Sequence, residues 1–143
     1  MTVDKQQIIK DWFRRVWIEQ DMDAIDEMFR PDSTAEGVLP GFGVGPDDFR
    51  EMATMYLALV EDPIVTVDKV MDDGDWAAAL WTMSIANPTG GDRIKGFGQL
   101  FVRFEGEVMV EAYNNFDMVG FFQQLGLLPE QTIALCLTGQ KVA

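Results

Sequence analysis

The chain contains no histidine. That excludes Ser-His and Cys-His nucleophile pairs and any zinc site built on imidazole. Proton transfer near neutral pH must then come from a carboxylate, Lys, Tyr or Cys with a displaced pKa, or from bound water. Cysteine occurs once, at Cys136, which rules out an internal disulfide and fits a reducing compartment. With no basic neighbour in sequence, Cys136 is expected to be an inert, buried thiol. Positive charge is scarce: 11 Lys and Arg stand against 24 Asp and Glu, a net charge of −13. Such a surface repels phosphate backbones and anionic headgroups, so neither nucleic acid nor a membrane is an expected partner. No apolar run is long enough to span a bilayer, and Met1–Gln7 lacks a signal-peptide pattern, which points to the cytoplasm.

What is present is a core. Hydrophobic residues make up 48% of 143 residues, enough for one domain over 1–143 and no second one. Ile8, Ile9, Trp12, Phe13, Val16 and Trp17 recur at helical spacing, and a second helix restarts behind Asp21 as a cap and ends before Pro31. A third opens at Pro46, with Asp47 and Asp48 at the positive end of its dipole and Phe49, Met52, Ala53, Tyr56, Leu57 and Val60 as its buried stripe. After Pro63 the period changes to that of strands, over 64–70, 76–86, 93–105 and 107–116, separated by turn-forming Asp, Asn and Gly. Asp117 then begins a short helix that Gly126 stops. Helices followed by hairpin-linked strands predict an α+β fold, with the helices on one face of a curved antiparallel sheet.

Residues two apart share one side of a strand. One face therefore collects Ala77, Ala79, Trp81, Met83 and Ile85 with Gly98, Leu100, Val102 and Phe104, and is expected to meet the helices. On the last strand the same alternation puts Val108, Val110, Ala112 and Asn114 inward and Met109, Glu111 and Tyr113 outward. The outer face mixes Phe97, Phe101 and Tyr113 with Gln, Arg, Glu, Thr and Ser, the composition of a protein–protein contact. It predicts a homodimer through that face, the alternative being a solvated face with scattered aromatics.

Helices on a curved sheet leave a cone in which small ligands bind. Its expected walls include Phe13, Trp17, Tyr56, Trp81 and Met83, although each of these also suits a filled core. Asn114 is the one polar residue in the inward set of its strand, and Asp117 follows closely. A carboxylate beside apolar walls is poorly hydrated and can exchange protons near neutral pH, so Asp117 is a candidate acid or base. It is equally placed to be a plain helix N-cap. Glu36, beside a glycine-rich loop, is a second acid within reach of the cavity or a solvent-facing charge. Gly41-Phe-Gly-Val-Gly45 lacks the Gly-Lys-Ser/Thr ending of a phosphate loop and reads as a flexible lid. Asp72-Asp-Gly-Asp75 has a hairpin-turn pattern rather than that of a calcium loop.

Three stretches carry a family resemblance: Asp21-Met-Asp-Ala-Ile-Asp-Glu-Met-Phe-Arg-Pro-Asp32, Gly45-Pro-Asp-Asp-Phe49, and the run Val110 to Pro129 with its Tyr-Asn-Asn-Phe-Asp step and Gln-Gln-Leu-Gly helix end. On these the chain resembles the SnoaL-like polyketide-cyclase branch of the cystatin-like, nuclear transport factor 2-like (NTF2-like) superfamily, over about residues 5–129. The resemblance implies a cone-shaped α+β fold, a pocket for a small hydrophobic molecule (cyclic or aromatic), and no cofactor or metal. It also implies the family's acid/base aspartate at Asp117, with Asn114 as its orienting partner. Relatives often carry His at the positions of Glu36 and Ala112, and related steroid isomerases place catalytic groups near Phe13, Gly37 and Leu100. Leu100 and Ala112 are therefore expected as pocket walls, and isomerase chemistry of that type lacks its base and oxyanion donors here. Two functions stay open: cyclase- or isomerase-type acid/base chemistry at a carbonyl through Asp117, or small-molecule binding without catalysis.

Overall fold

The computed structural model describes residues 3–37 and 44–142. The expected lid falls largely on 38–43, outside the described residues, while Val44 forms a bridge to Ala35 and Gly45 precedes the third helix.

α1, Lys5–Phe13, is capped by Asp4, whose carboxylate accepts the Gln7 N–H. The helix runs on into a π-helical stretch, Arg14–Ile18. The wider turn keeps Val16 and Trp17 buried in line with Ile9, Trp12 and Phe13. Arg15 then ties this stretch to Asp21 at 2.7 Å and Glu27 at 2.6 Å. α2, Asp23–Met28, buries Ala24 and Ile25, and the Asp21 carboxylate accepts the Asp23 N–H ahead of it. α3, Pro46–Leu59, has proline at its first position, which needs no N–H partner.

The strands are β1 Phe29–Glu36, β2 Ile64–Asp73, β3 Trp76–Ile85, β4 Ile94–Glu105 and β5 Val108–Phe116. They form one sheet in the order β1-β5-β4-β3-β2. β2 to β5 are the expected antiparallel meander, but β1 adds to β5 in parallel, so the sheet is mixed. Ser33 secures that edge: its buried hydroxyl donates to the Met109 carbonyl and accepts the Arg30 N–H. α4, Met118–Gln124, closes the end of the sheet with the fully buried Phe121, and α5, Thr132–Leu137, follows. Cys136, expected to be buried, is exposed on α5, because that helix buries only Thr132.

The helices cover one face of the sheet. Its inward set on β3 and β4 is the one read from alternation, from Ala77 to Ile85 and from Leu100 to Phe104. β5 departs from it. Arg103 pairs with Glu111 and Phe104 with Met109, leaving Val110 as an extra residue without an opposite number. This bulge reverses the alternation, so Met109, expected outside, is buried along with Ala112.

Candidate functional site

The core is not filled completely between α3 and the sheet. Two small hollows lie there, of about 30 and 40 Å³. Trp12, Val44, Phe49, Leu100 and Ala112 line the first; Trp17, Tyr56, Trp81, Met83 and Phe116 line the second. Asn114 and Phe49 belong to both walls, so they form the partition between the hollows. Among the described residues, none that lines either hollow carries a charge.

Local sequence explains how these side chains are held. β4 carries glycine at 96 and 98, and the Trp81 and Phe116 rings lie over them. A Cβ on Gly98 would sit 2.5 Å from Trp81 Cζ2, and one on Gly96 would sit 2.8 Å from the Phe116 ring. With those side chains missing, Trp81 and Phe116 stack, centroids 5.2 Å apart and planes 15° apart. Phe13 backs the indole at 5.1 Å. Tyr56 is wedged between Trp17 at 5.6 Å and Phe121 at 5.8 Å. Behind Asn114, Gly37 takes a positive φ of 78° and presses on the strand so closely that a Cβ would lie 2.4 Å from the Asn114 carbonyl oxygen.

The second hollow holds the chemistry. Tyr56 Oη, Trp81 Nε1 and Asn114 Oδ1 are buried and have no hydrogen-bond partner among the described residues. All three belong to residues that line the same hollow. A buried polar atom left unpaired costs about 1–3 kcal/mol. Burial also pushes the Tyr56 phenol well above its ordinary value of 10.0. The group stays a neutral donor at any physiological pH. The Trp81 indole N–H can only donate. Among its described lining residues the hollow has no carboxylate, Lys, Arg or Cys.

Of the residues expected from sequence, Trp17, Tyr56, Trp81, Met83 and Asn114 gather at the second hollow, and Leu100 and Ala112 at the first. Three take the second of the two places each was given: core, solvent and helix cap. Phe13 is 2% exposed and lines neither hollow; it packs on Trp81 as solid core. Glu36 is exposed at the end of β1 beside Tyr113, because its side of the strand is the outer one. Asp117 is exposed and accepts the Gly120 N–H at 3.0 Å, so its carboxylate caps α4 and is solvated instead of confined beside apolar walls. It borders a groove outside the cone. Phe49, Met52, Phe116 and Met118 also line the second hollow, although none was singled out as a site residue. Their signal was legible: Phe49 and Met52 share the helix face of Tyr56, and Phe116 shares the strand face of Asn114.

Residues 9–112 match the model of a family described as the SnoaL-like domain. The chain belongs to the SnoaL-like domain family. No curated protein sequence matches it. Among solved structures, this SnoaL-like domain is similar to IdmH, a polyketide cyclase candidate from Streptomyces antibioticus. The two share 17% identity over 87% of this chain and 99% of the other, with a TM-score of 0.75. A polyketide cyclase candidate from Acidithiobacillus ferrooxidans matches at 20% identity over 88% and 98% of the two chains, TM-score 0.70. A protein of ketosteroid isomerase-like fold from Catenulispora acidiphila, bound to trimethylamine, matches at 18% over 88% and 95%, TM-score 0.71. The shared architecture is an α+β fold of the ketosteroid isomerase-like, nuclear transport factor 2-like kind. Among its described residues, this SnoaL-like domain has no helix long and apolar enough to cross a membrane.

Proposed function

We propose that this SnoaL-like domain binds a small, largely hydrophobic molecule, cyclic or aromatic, in the hollow beneath α3. The observation that carries the reading is a cavity wall of aromatic and Met side chains, with Asn114 and no charged residue among its described lining. Burying a charge without a partner there would cost far more than the contacts return, so the guest is neutral. The hollow at 40 Å³ is tight, but Met52, Met83 and Met118 on its wall are unbranched side chains that repack readily around a guest. Binding without chemistry is favoured over acid/base catalysis, since Asp117 is engaged in capping on the solvent side. Native mass spectrometry of the protein as purified tests the reading, with a retained neutral small molecule as the expected result. A wholly unliganded mass, together with no thermal shift from any uncharged aromatic compound, would overturn it.

The outer face supports a second copy of the chain as partner. Phe97 and Phe101 project from it at 58% and 53% exposure. Beside Phe101 lies a depression of about 160 Å³ lined by Met71, Ala78, Leu80 and Gln99. Knob and socket on one face are what a two-fold, self-complementary interface requires. The strong net negative charge is offset locally, because Glu105 and Glu111 are paired with two cations, Arg30 and Arg103. The cytoplasmic placement of such a dimer rests on the reducing compartment that a single unpaired cysteine suits.

A further inference from the structure

The two hollows lie end to end along the same elements. On the helix side, Pro46 and Phe49 border the first, and Phe49, Met52 and Tyr56 the second, so one follows the other along α3. The sheet side keeps that order. Ala112 lines the first and Phe116 the second, with Asn114 between them on β5 and belonging to both. At about 3.3 Å per residue, Ala112 and Phe116 stand about 13 Å apart. On β4, Leu100 of the first hollow lies opposite Asn114, and Gly98, flanked by Trp81, lies opposite Phe116. The interruption is the Phe49 ring. Its centroid lies 5.3 Å from that of Trp12, a wall of the first hollow, and 5.9 Å from that of Trp17, a wall of the second. We infer that Phe49 sets the size of the guest: its ring divides one trough beneath α3 into two chambers and excludes linear two-ring molecules. The inference rests on the binding reading above and goes further by giving the guest's length.

Volumes lead to the same residue. An apolar cavity of about 150 Å³ takes a benzene ring, so hollows of about 30 and 40 Å³ admit one only where their walls give. The second hollow has Met52, Met83 and Met118 to give way. The first has no methionine among its described lining, and Phe49 is one of its walls. A second ring therefore needs the space that Phe49 fills. That ring is firmly placed: Phe49 is 7% exposed, sits in the first turn of α3 with its N–H bonded to the Gly45 carbonyl at 3.0 Å, and packs against both tryptophans.

The test uses phenol and para-phenylphenol, neutral probes of one ring and of two rings in line. Each is titrated into the full chain and followed by the tryptophan indole N–H signals in protein NMR. In the parent, para-phenylphenol binds no tighter than phenol, although it offers more apolar area. Phe49→Ala joins the chambers and raises the affinity for para-phenylphenol relative to phenol by about tenfold or more, the worth of burying a further ring. In that variant para-phenylphenol moves the Trp12 and Trp17 signals together. Phe49→Leu, which disturbs folding less, moves the ratio the same way by a smaller factor. Phe104→Ala removes an equal ring from a buried site that borders neither hollow, and leaves the ratio within about twofold. Tighter binding of para-phenylphenol than of phenol to the parent overturns the partition while the pocket stands. So does a ratio that shifts as far in Phe104→Ala as in the Phe49 variants. Binding of neither probe to any of these proteins overturns the pocket and the partition together.

Discussion

The indole of Trp81 occupies the space where a side chain at Gly98 would begin. A Cβ at 98 would stand 2.5 Å from Trp81 Cζ2 and also 2.5 Å from the Asn115 backbone carbonyl oxygen. Strand β4 is thus notched to take a ring from β3, and the notch sets where the indole N–H sits. Gly98→Ala is expected to lower stability by about 1–3 kcal/mol, the usual cost of overpacking, and to shift the tryptophan emission spectrum as the ring is pushed off its seat. Urea unfolding followed by fluorescence checks both. An alanine variant with unchanged midpoint and spectrum would show that the ring and strand relax freely.

Asp117 separates two roles by simple substitution. As the cap of α4 it is replaced well by Asn, which accepts the same Gly120 N–H, and poorly by Ala. Thermal melts are expected to place Asp117→Asn within a few tenths of a kcal/mol of the parent and Asp117→Ala about 1 kcal/mol below it. Small-molecule binding should survive in the Asn variant. If that variant loses turnover of a carbonyl substrate that the parent converts, the aspartate is an acid or base after all.

The outer face makes a solution measurement decisive. Sedimentation equilibrium is expected to give twice the 16.1 kDa chain mass at micromolar concentration. Phe101→Glu, which puts a charge on an exposed position without touching the core, should return the single-chain mass with little change in melting temperature. A parent that already sediments as a monomer would refute the dimer.

Acid should weaken the fold through the same face. The Tyr113 hydroxyl and the Arg103 guanidinium both donate to Glu111, and Arg30 and Arg103 donate to Glu105; each carboxylate is held below its ordinary value of 4.5. A carboxylate with a lowered native pKa contributes stability above its unfolded value, and that contribution disappears as pH falls through the native one. Melting temperature is therefore expected to drop as pH is taken from about 5 to 3. Arg103→Met should make that drop shallower, since each glutamate then has less ionised-state stabilisation to lose. Both carboxylates face solvent, so added salt should also blunt the effect.

Alternation of residues revealed much of this molecule. Ala77, Ala79, Trp81, Met83 and Ile85 repeat with period two and all point inward, so the helices, the hairpins and five of the residues around the second hollow were legible. The failures have separate causes. Met109 was misplaced because the bulge at Val110 is a matter of pairing between strands, and nothing in Val-Met-Val-Glu announces it. The parallel pairing went unread since the Phe29–Glu36 stretch carries Pro31 and three charged residues, a poor strand signature that Ser33 rescues through a distant carbonyl. Asp117 stands at a position where capping and catalysis demand the same residue type, and only the direction of its carboxylate tells them apart. Tyr56 and Trp81 were read as grease; burial of their single polar atoms is a property of the folded wall, invisible in composition.

The parallel docking of β1 on β5 bears on how the chain reaches this state. Ser33 and Met109 are 76 positions apart, whereas β2 to β5 join through short reversals that form early and locally. The entropic toll of closing so long a segment falls on the edge strand and the helices that pack with it. Contact locality thus predicts assembly from a four-stranded ribbon of the carboxyl half, with the amino-terminal layer protected last in pulsed hydrogen exchange.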